Sequence, residues 1–225
     1  MCRSRIAATR ECLAQYAFGV ATTATRARRT DPDIRKRQLV EAALPAFADR
    51  GYDAVELKEI ASDVGVTPNL IHHYYPGGKQ ELYLEAVRLA CEEVVAILDT
   101  DPEIGLETKM PANTSAYLSE ALAPTPRYVL FMRSTRSPQP EVAAVGIEAR
   151  DRIVAGIALN NLGTTTPPPK AKAALVGLIG YLEACAEQWR ELGIDDRQAL
   201  ERLLMEVNVA SLRSAAEEKP GGEKT

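Results

Sequence analysis

Asn69, His72 and His73 stand at i, i+3 and i+4 in the segment TPNLIHHYY. On a helix these three share one face. Asparagine can bridge N6 and N7 of adenine, and histidine can donate or accept in the major groove. The chemistry this face offers is the reading of base edges. Ile71, Tyr74 and Tyr75 share a different face, with Thr67 above them, and suit packing. Thr67 and the unbonded amides at the start of the helix can hold a phosphate. Lys79 can hold another. Two plainer readings stand beside this one: His72 and His73 as ordinary surface residues, or as metal ligands. Adjacent histidines with no Cys or Glu at ligand spacing argue against a metal. Neither metal nor cofactor is expected.

The neighbouring residues set up that helix. A helix is predicted over 57–64, with Ile60, Ala61 and Val64 inward, and Gly65 makes a turn. Thr67 then supplies a hydroxyl cap, and Pro68 stands where no amide donor is needed. Pro76, Gly77 and Gly78 end a short helix over 68–74. Upstream, Leu39, Ala42, Ala43, Ala46 and Phe47 recur at helical spacing over 33–50, and Gly51 suits a C′ position. Pro45 removes a donor inside that helix and should bend it. Downstream, a helix over 79–98 carries Leu82, Ala86, Ala90, Val94 and Ile97 on one stripe. Residues 99–113, with Pro102, Gly105 and Pro111, read as a connection. Further helices are predicted over 114–122, 127–134, 141–161, 170–191 and 196–216. No segment has the two-residue period of a strand, and no internal repeat is present.

Length and charge bound the possibilities. The 225 residues suffice for two small domains. No apolar run reaches the ~18 residues needed to cross a bilayer. Cys2, Cys12, Cys91 and Cys185 are far apart and form no CxxC, which fits a reducing, cytoplasmic setting. The net charge of −4 is unevenly spread. Residues 1–37 hold nine cations against three acids, a balance of +6, so the remainder carries −10. A basic end on an acidic body suggests that one end meets a polyanion. Residues 1–30 read as a disordered basic tail, as an arm lying along DNA, as a targeting segment, or as a leader from a start codon set too far upstream.

Residues 34–90 as a block resemble the DNA-binding domain of the TetR (tetracycline-repressor) family. The residues that carry the resemblance are AALPAFADRGYDAV, then EIASDVGV, then TPNLIHHYYPGGKQEL. The resemblance implies that Thr67, His73, Tyr74 and Lys79 touch phosphates, that Pro68, Asn69 and His72 approach bases, and that Phe47 and Tyr75 are core. Four departures stand out. His72 replaces a usual tyrosine. Val55 and Glu56 stand where the family has a threonine, and Glu56 would repel a phosphate. Gly77-Gly78 adds a residue before Lys79. Residues 31–79 hold six cations against eight acids, so phosphate affinity must rest on Arg35, Lys36, Arg37, Lys58 and Lys79, helped by Arg26, Arg28 and Arg29.

The helices over 170–191 and 196–216 are apolar on more than one face, where a monomer surface needs one stripe. One face would then meet a partner, with burial inside one protomer as the alternative. The resemblance implies pairing through these last two helices as a four-helix bundle, with Leu175, Leu178, Leu182, Trp189, Leu200, Leu204 and Val207 at the interface. It also implies a small molecule between the middle helices. Candidate lining residues are Tyr117, Tyr128, Phe131, Met132, Ile147, Tyr181 and Cys185, though helical spacing favours plain core over pocket for each. Arg133, Arg136 and Arg150 would meet an acidic ligand or face water.

These observations predict an all-α protein: an N-terminal three-helix helix-turn-helix DNA-binding domain plus a C-terminal helical ligand-binding and dimerisation domain. Residues 31–79 form the first and 80–216 the second, flanked by tails at 1–30 and 217–225. The expected function is a cytoplasmic homodimeric transcription regulator, a repressor that a small-molecule effector releases from a double-stranded DNA operator. The alternatives are a regulator controlled by a protein partner or by its own abundance, and a helical enzyme. The sequence contains no HExxH, GxSxG, phosphate loop or paired Glu-x-x-His, and no membrane partner is expected.

Overall fold

Asp31 opens the first helix by accepting a hydrogen bond from the Asp33 amide at 3.0 Å, and Pro32 occupies the first helical position. A computed structural model describes residues 31–98, 101 and 103–216. The expectations for 1–30 and 217–225 lie outside these residues. Among the described residues the fold is nine helices with no strand. They are α1 (Pro32–Ala54), α2 (Leu57–Asp63), α3 (Pro68–Tyr74), α4 (Lys79–Val95), α5 (Leu106–Leu122), α6 (Pro126–Ser134), α7 (Pro140–Leu162), α8 (Pro169–Glu191) and α9 (Arg197–Ala216).

Pro45 sits on the exposed side of α1, so the carbonyl it leaves unbonded, that of Glu41, belongs to another exposed residue. Water can satisfy it. Gly51 has φ 79° and interrupts α1 at the residue expected to end it. The connection expected over 99–113 needs correction. Helix α5 begins at Leu106, two turns earlier than predicted, and contains Pro111. Pro111 and Glu107 are both exposed, so the missing hydrogen bond again falls on the solvent side, where a proline is least costly.

Helix α4 is central. It packs against α1, α6 and α7, while α8 packs against α9, α5 and α7. One contiguous apolar cluster runs from Leu39 in α1 to Leu204 in α9. Within it Phe47, Tyr52 and Tyr83 form a ring cluster, with Phe47 and Tyr83 edge to face at 5.0 Å. Phe47 and Tyr75 are core, as expected.

The two-faced character of α8 and α9 resolves differently from the sequence expectation. Leu175, Leu178, Leu200 and Leu204 are buried within their own chain, so they have no surface to offer a partner. Leu182, Trp189 and Val207 are half-buried. What α8 presents outward is a row of small side chains: Ala173, Val176, Gly177, Gly180 and Ala184. The large residues turned inward because only they fill the space between helices.

Helices α6 and α7 approach closely at Gly146. A Cβ there would lie 2.3 Å from Ser134 Oγ and 2.7 Å from the Thr135 amide nitrogen. Inside a helix, alanine for glycine ordinarily stabilises by about 0.5–1 kcal/mol. Gly146→Ala is expected to reverse that sign and cost about 1–3 kcal/mol through overpacking against backbone. Urea denaturation measures it; an unchanged or raised midpoint would show that the helices are not this close.

Candidate nucleic-acid interface and helix-lined cavity

The helix-turn-helix is assembled by short-range bonds. Glu59 accepts from the Glu56 amide at 3.3 Å and from Arg50 at 2.6 Å, fixing the entry to α2. Arg50 is the main reason that the Glu59 carboxyl lies below its usual range. Gly65, at φ 69°, lets the chain turn, and the Val66 amide closes that turn on the Ala61 carbonyl at 2.8 Å. Thr67 occupies the cap position of α3 with extended backbone, but its hydroxyl makes no capping bond. The expected cap is therefore positional only, and the hydroxyl is left for another partner.

Helix α3 is held by its inner face. Ile71 is fully buried and Tyr75, just past its end, is 5% exposed. Burial pushes the Tyr75 phenol up to about 12, and as a neutral group it donates to the Lys36 carbonyl at 3.1 Å. Thr67, Pro68, Asn69, His72 and His73 are all exposed on the other side. Tyr74 is half-buried, its ring edge to face with His73 at 5.3 Å. Gly78, at φ 63°, lies under His72: a Cβ there would come within 3.3 Å of the imidazole.

The expected cations are less available than their number suggests. Lys79 Nζ donates to the Asp53 carbonyl at 3.1 Å and lies 4.6 Å from the centre of the Tyr52 ring. This ties the start of α4 to the segment before α2. Lys58 pairs with Glu56 at 2.7 Å and Arg37 with Glu41 at 2.8 Å. Both pairs are solvent-exposed and weak, so a phosphate can displace them. Arg35 and Lys36 lie on α1 near these groups, Lys36 with its side chain exposed.

A second concave region lies among α5, α7, α8 and α9. It is lined by Leu106, Met110, Tyr117, Ile153, Ile157 and Leu182, among others. Of the seven expected lining residues only Tyr117 is present. Tyr128 and Phe131 are buried in the core beside it, and Ile147 is 53% exposed. Met132, Tyr181 and Cys185 are half-buried elsewhere. Helical spacing identified apolar faces but not which of them border empty space. The asparagines Asn113, Asn160, Asn161 and Asn208, which also line the cavity, went unnoticed. Their signal was available: polar residues in otherwise apolar helical stripes.

Behind the cavity, Glu183 is buried and accepts from the Tyr117 hydroxyl at 3.0 Å and from Arg150 at 2.8 and 3.0 Å. Burial, reinforced by Glu183, pushes the Tyr117 phenol far above its ordinary range. Arg133 donates to the carbonyls of Phe47 and Ala48. Neither Arg133 nor Arg150 therefore waits for an acidic ligand. Among the described residues no cluster of three His, Cys, Asp or Glu could hold a metal, and no helix is long and apolar enough to cross a membrane.

Residues 39–86 match the model described as "Bacterial regulatory proteins, tetR family". An HTH-type transcriptional regulator of Mycobacterium tuberculosis is 34% identical over 117 residues, 52% of this chain and 54% of that protein. The chain thus spans about half the length of that relative. The HTH-type regulator BetI of Rhizobium meliloti is 44% identical over 55 residues, 24% of this chain and 27% of that protein. Among solved structures, a TetR-family regulator from Streptomyces coelicolor superposes with TM-score 0.66 at 22% identity, covering 84% of this chain and 90% of that one. A TetR-like regulator from Rhodococcus gives 0.59 at 22% identity, covering 84% and 100%. The structural matches establish the shared helical fold, and residues 39–86, from α1 into α4, are similar to the DNA-binding segment of the tetR family of bacterial regulatory proteins.

Proposed function

We propose that the chain is a cytoplasmic, homodimeric, DNA-binding transcription regulator, a repressor released from its double-stranded operator by a small molecule. The observation that carries this reading is the split of α3. Ile71 and Tyr75 lock the helix into the core, while Asn69, His72 and His73 stay exposed together on its other side. In a helix-turn-helix that outer face enters the major groove. Asn69, His72 and Pro68 are assigned to base edges, and Thr67, His73, Tyr74, Lys79, Lys58 and Arg35–Arg37 to the phosphate backbone.

The dimer is assigned to the outward faces of α8 and α9. Gly177 and Gly180 of α8 have nothing within 4 Å of where a Cβ would stand, which is room for a second helix. Met205 and Val209 of α9 are half-exposed apolar residues. Two-fold pairing presents two α3 helices to two half-sites.

Helix α6 is the proposed route from cavity to DNA. Its Tyr128 ring meets the Tyr117 ring of the cavity wall at 5.8 Å, and its Arg133 holds the carbonyls of Phe47 and Ala48 in α1. A ligand that moves Tyr117 moves the helix that braces the DNA-reading unit. Such a ligand acts only through unequal affinity for the bound and released states.

Three measurements test these assignments. Lys79→Ala should weaken binding to every DNA sequence and reduce the salt slope by about 1; an unchanged slope removes Lys79 from the phosphate contacts. Asn69→Ala and His72→Ala should each lose about 1–3 kcal/mol on the operator and little on random DNA; equal losses on both contradict base reading. Val176→Arg should shift sedimentation from dimer to monomer, whereas a retained dimer places the interface elsewhere.

A further inference from the structure

Asparagine interrupts the apolar stripes that face the cavity. On α7 the stripe runs Ile153, Ile157, Asn161, and on α9 it runs Leu200, Leu204, Asn208, each at four-residue spacing. The first two members of both stripes lie in the apolar core or against it. The third members line the cavity and bring amides where leucine or isoleucine would continue the pattern.

Those amides are incompletely bonded. Asn208 is 7% exposed, and its Oδ1 is buried without a hydrogen-bond partner. Asn161 Oδ1 is likewise buried and unbonded. The Asn161 amide is oriented, because its Nδ2 donates to the Ile157 carbonyl at 2.8 Å, so its oxygen is left as an acceptor. A buried acceptor without a donor is unfavourable. No residue lining the cavity carries a charge. A carboxylate or ammonium entering it would lose hydration and gain no counter-ion.

We propose that this cavity binds an uncharged, mainly apolar molecule that donates hydrogen bonds, through a hydroxyl or N–H group, to Oδ1 of Asn161 and Asn208. The proposal rests on the effector reading given above and adds the chemistry of the effector. It requires neither Arg133 nor Arg150, both of which are already bonded within the protein.

The test uses the full-length chain and five ten-carbon probes: decan-1-ol, decanamide, 1-methoxydecane, decanoate and decylammonium. Isothermal titration should show decan-1-ol or decanamide binding about tenfold more tightly than 1-methoxydecane, the loss expected for one hydrogen bond to a buried acceptor. The ranking of the first two distinguishes hydroxyl from N–H. Both charged probes should bind more weakly than the ether. In Asn208→Leu and Asn161→Leu the preference for alcohol over ether should shrink while the ether still binds. The wild-type ranking carries the test even where a variant fails to fold. Equal binding of alcohol and ether, tightest binding by a charged probe, or binding of none of the five overturns the proposal. A separate gel-shift with the chain's own promoter fragment isolates the underlying reading. If the alcohol binds but leaves the protein on DNA, the cavity chemistry stands and the effector role falls.

Discussion

Burial of Ile71 and Tyr75 is the constraint on which the rest depends. A helix of seven residues is too short to persist by its own hydrogen bonds, since nucleation is costly and few bonds follow. It exists here because Ile71 is fully buried and because Tyr75 carries its hydroxyl to the Lys36 carbonyl of α1. With those contacts made, the outer residues have no freedom to choose their direction. Asn69, His72 and His73 are exposed because their neighbours are not. Gly65 and Gly78 serve the same end, one by letting α3 leave α2 at a tight turn and the other by leaving space beneath His72.

The interior behind this unit is continuous rather than divided. Helix α4 lies against α1, α6 and α7 together, so the helix-turn-helix end and the cavity end share one apolar cluster. Two polar groups tie its helices together. Arg133 caps carbonyls near the end of α1, and the Arg150–Glu183–Tyr117 group joins α7, α8 and α5. The second is a buried ion pair, whose desolvation cost offsets much of its attraction. Its effect is to fix the relative positions of three helices that wall the cavity.

Much of this was legible in the sequence, for identifiable reasons. Helical spacing located α1–α4 and the inward faces of Leu39, Phe47, Ile60 and Ile71, because burial and periodicity are one signal in a short amphipathic helix. Pro111 misled, since a proline reads as a break when its exposure is unknown. Leu175, Leu178, Leu200 and Leu204 were assigned to a partner surface and proved to be core, because a stripe does not say which of two apolar faces lies inward. The small residues Gly177 and Gly180 were the better guide to the outward face. The cavity was missed almost entirely: Tyr128 touches its wall at Tyr117 without lining it, and empty space leaves no periodicity. The asparagines at 161 and 208 were its trace.

Three of the cations assigned to phosphate already have partners within the protein. Lys58 and Arg37 are paired with neighbouring carboxylates, and Lys79 is held by Asp53 and Tyr52. Under the proposed reading, sequence discrimination comes from the exposed face of α3, used twice by a two-fold dimer. Selection of binding sequences from a random DNA library by the full-length protein tests this most directly. The account predicts enrichment of a two-fold symmetric site whose halves lie one helical turn apart, ~34–36 Å between centres. A pool no different from the input, or a site without symmetry, would contradict it.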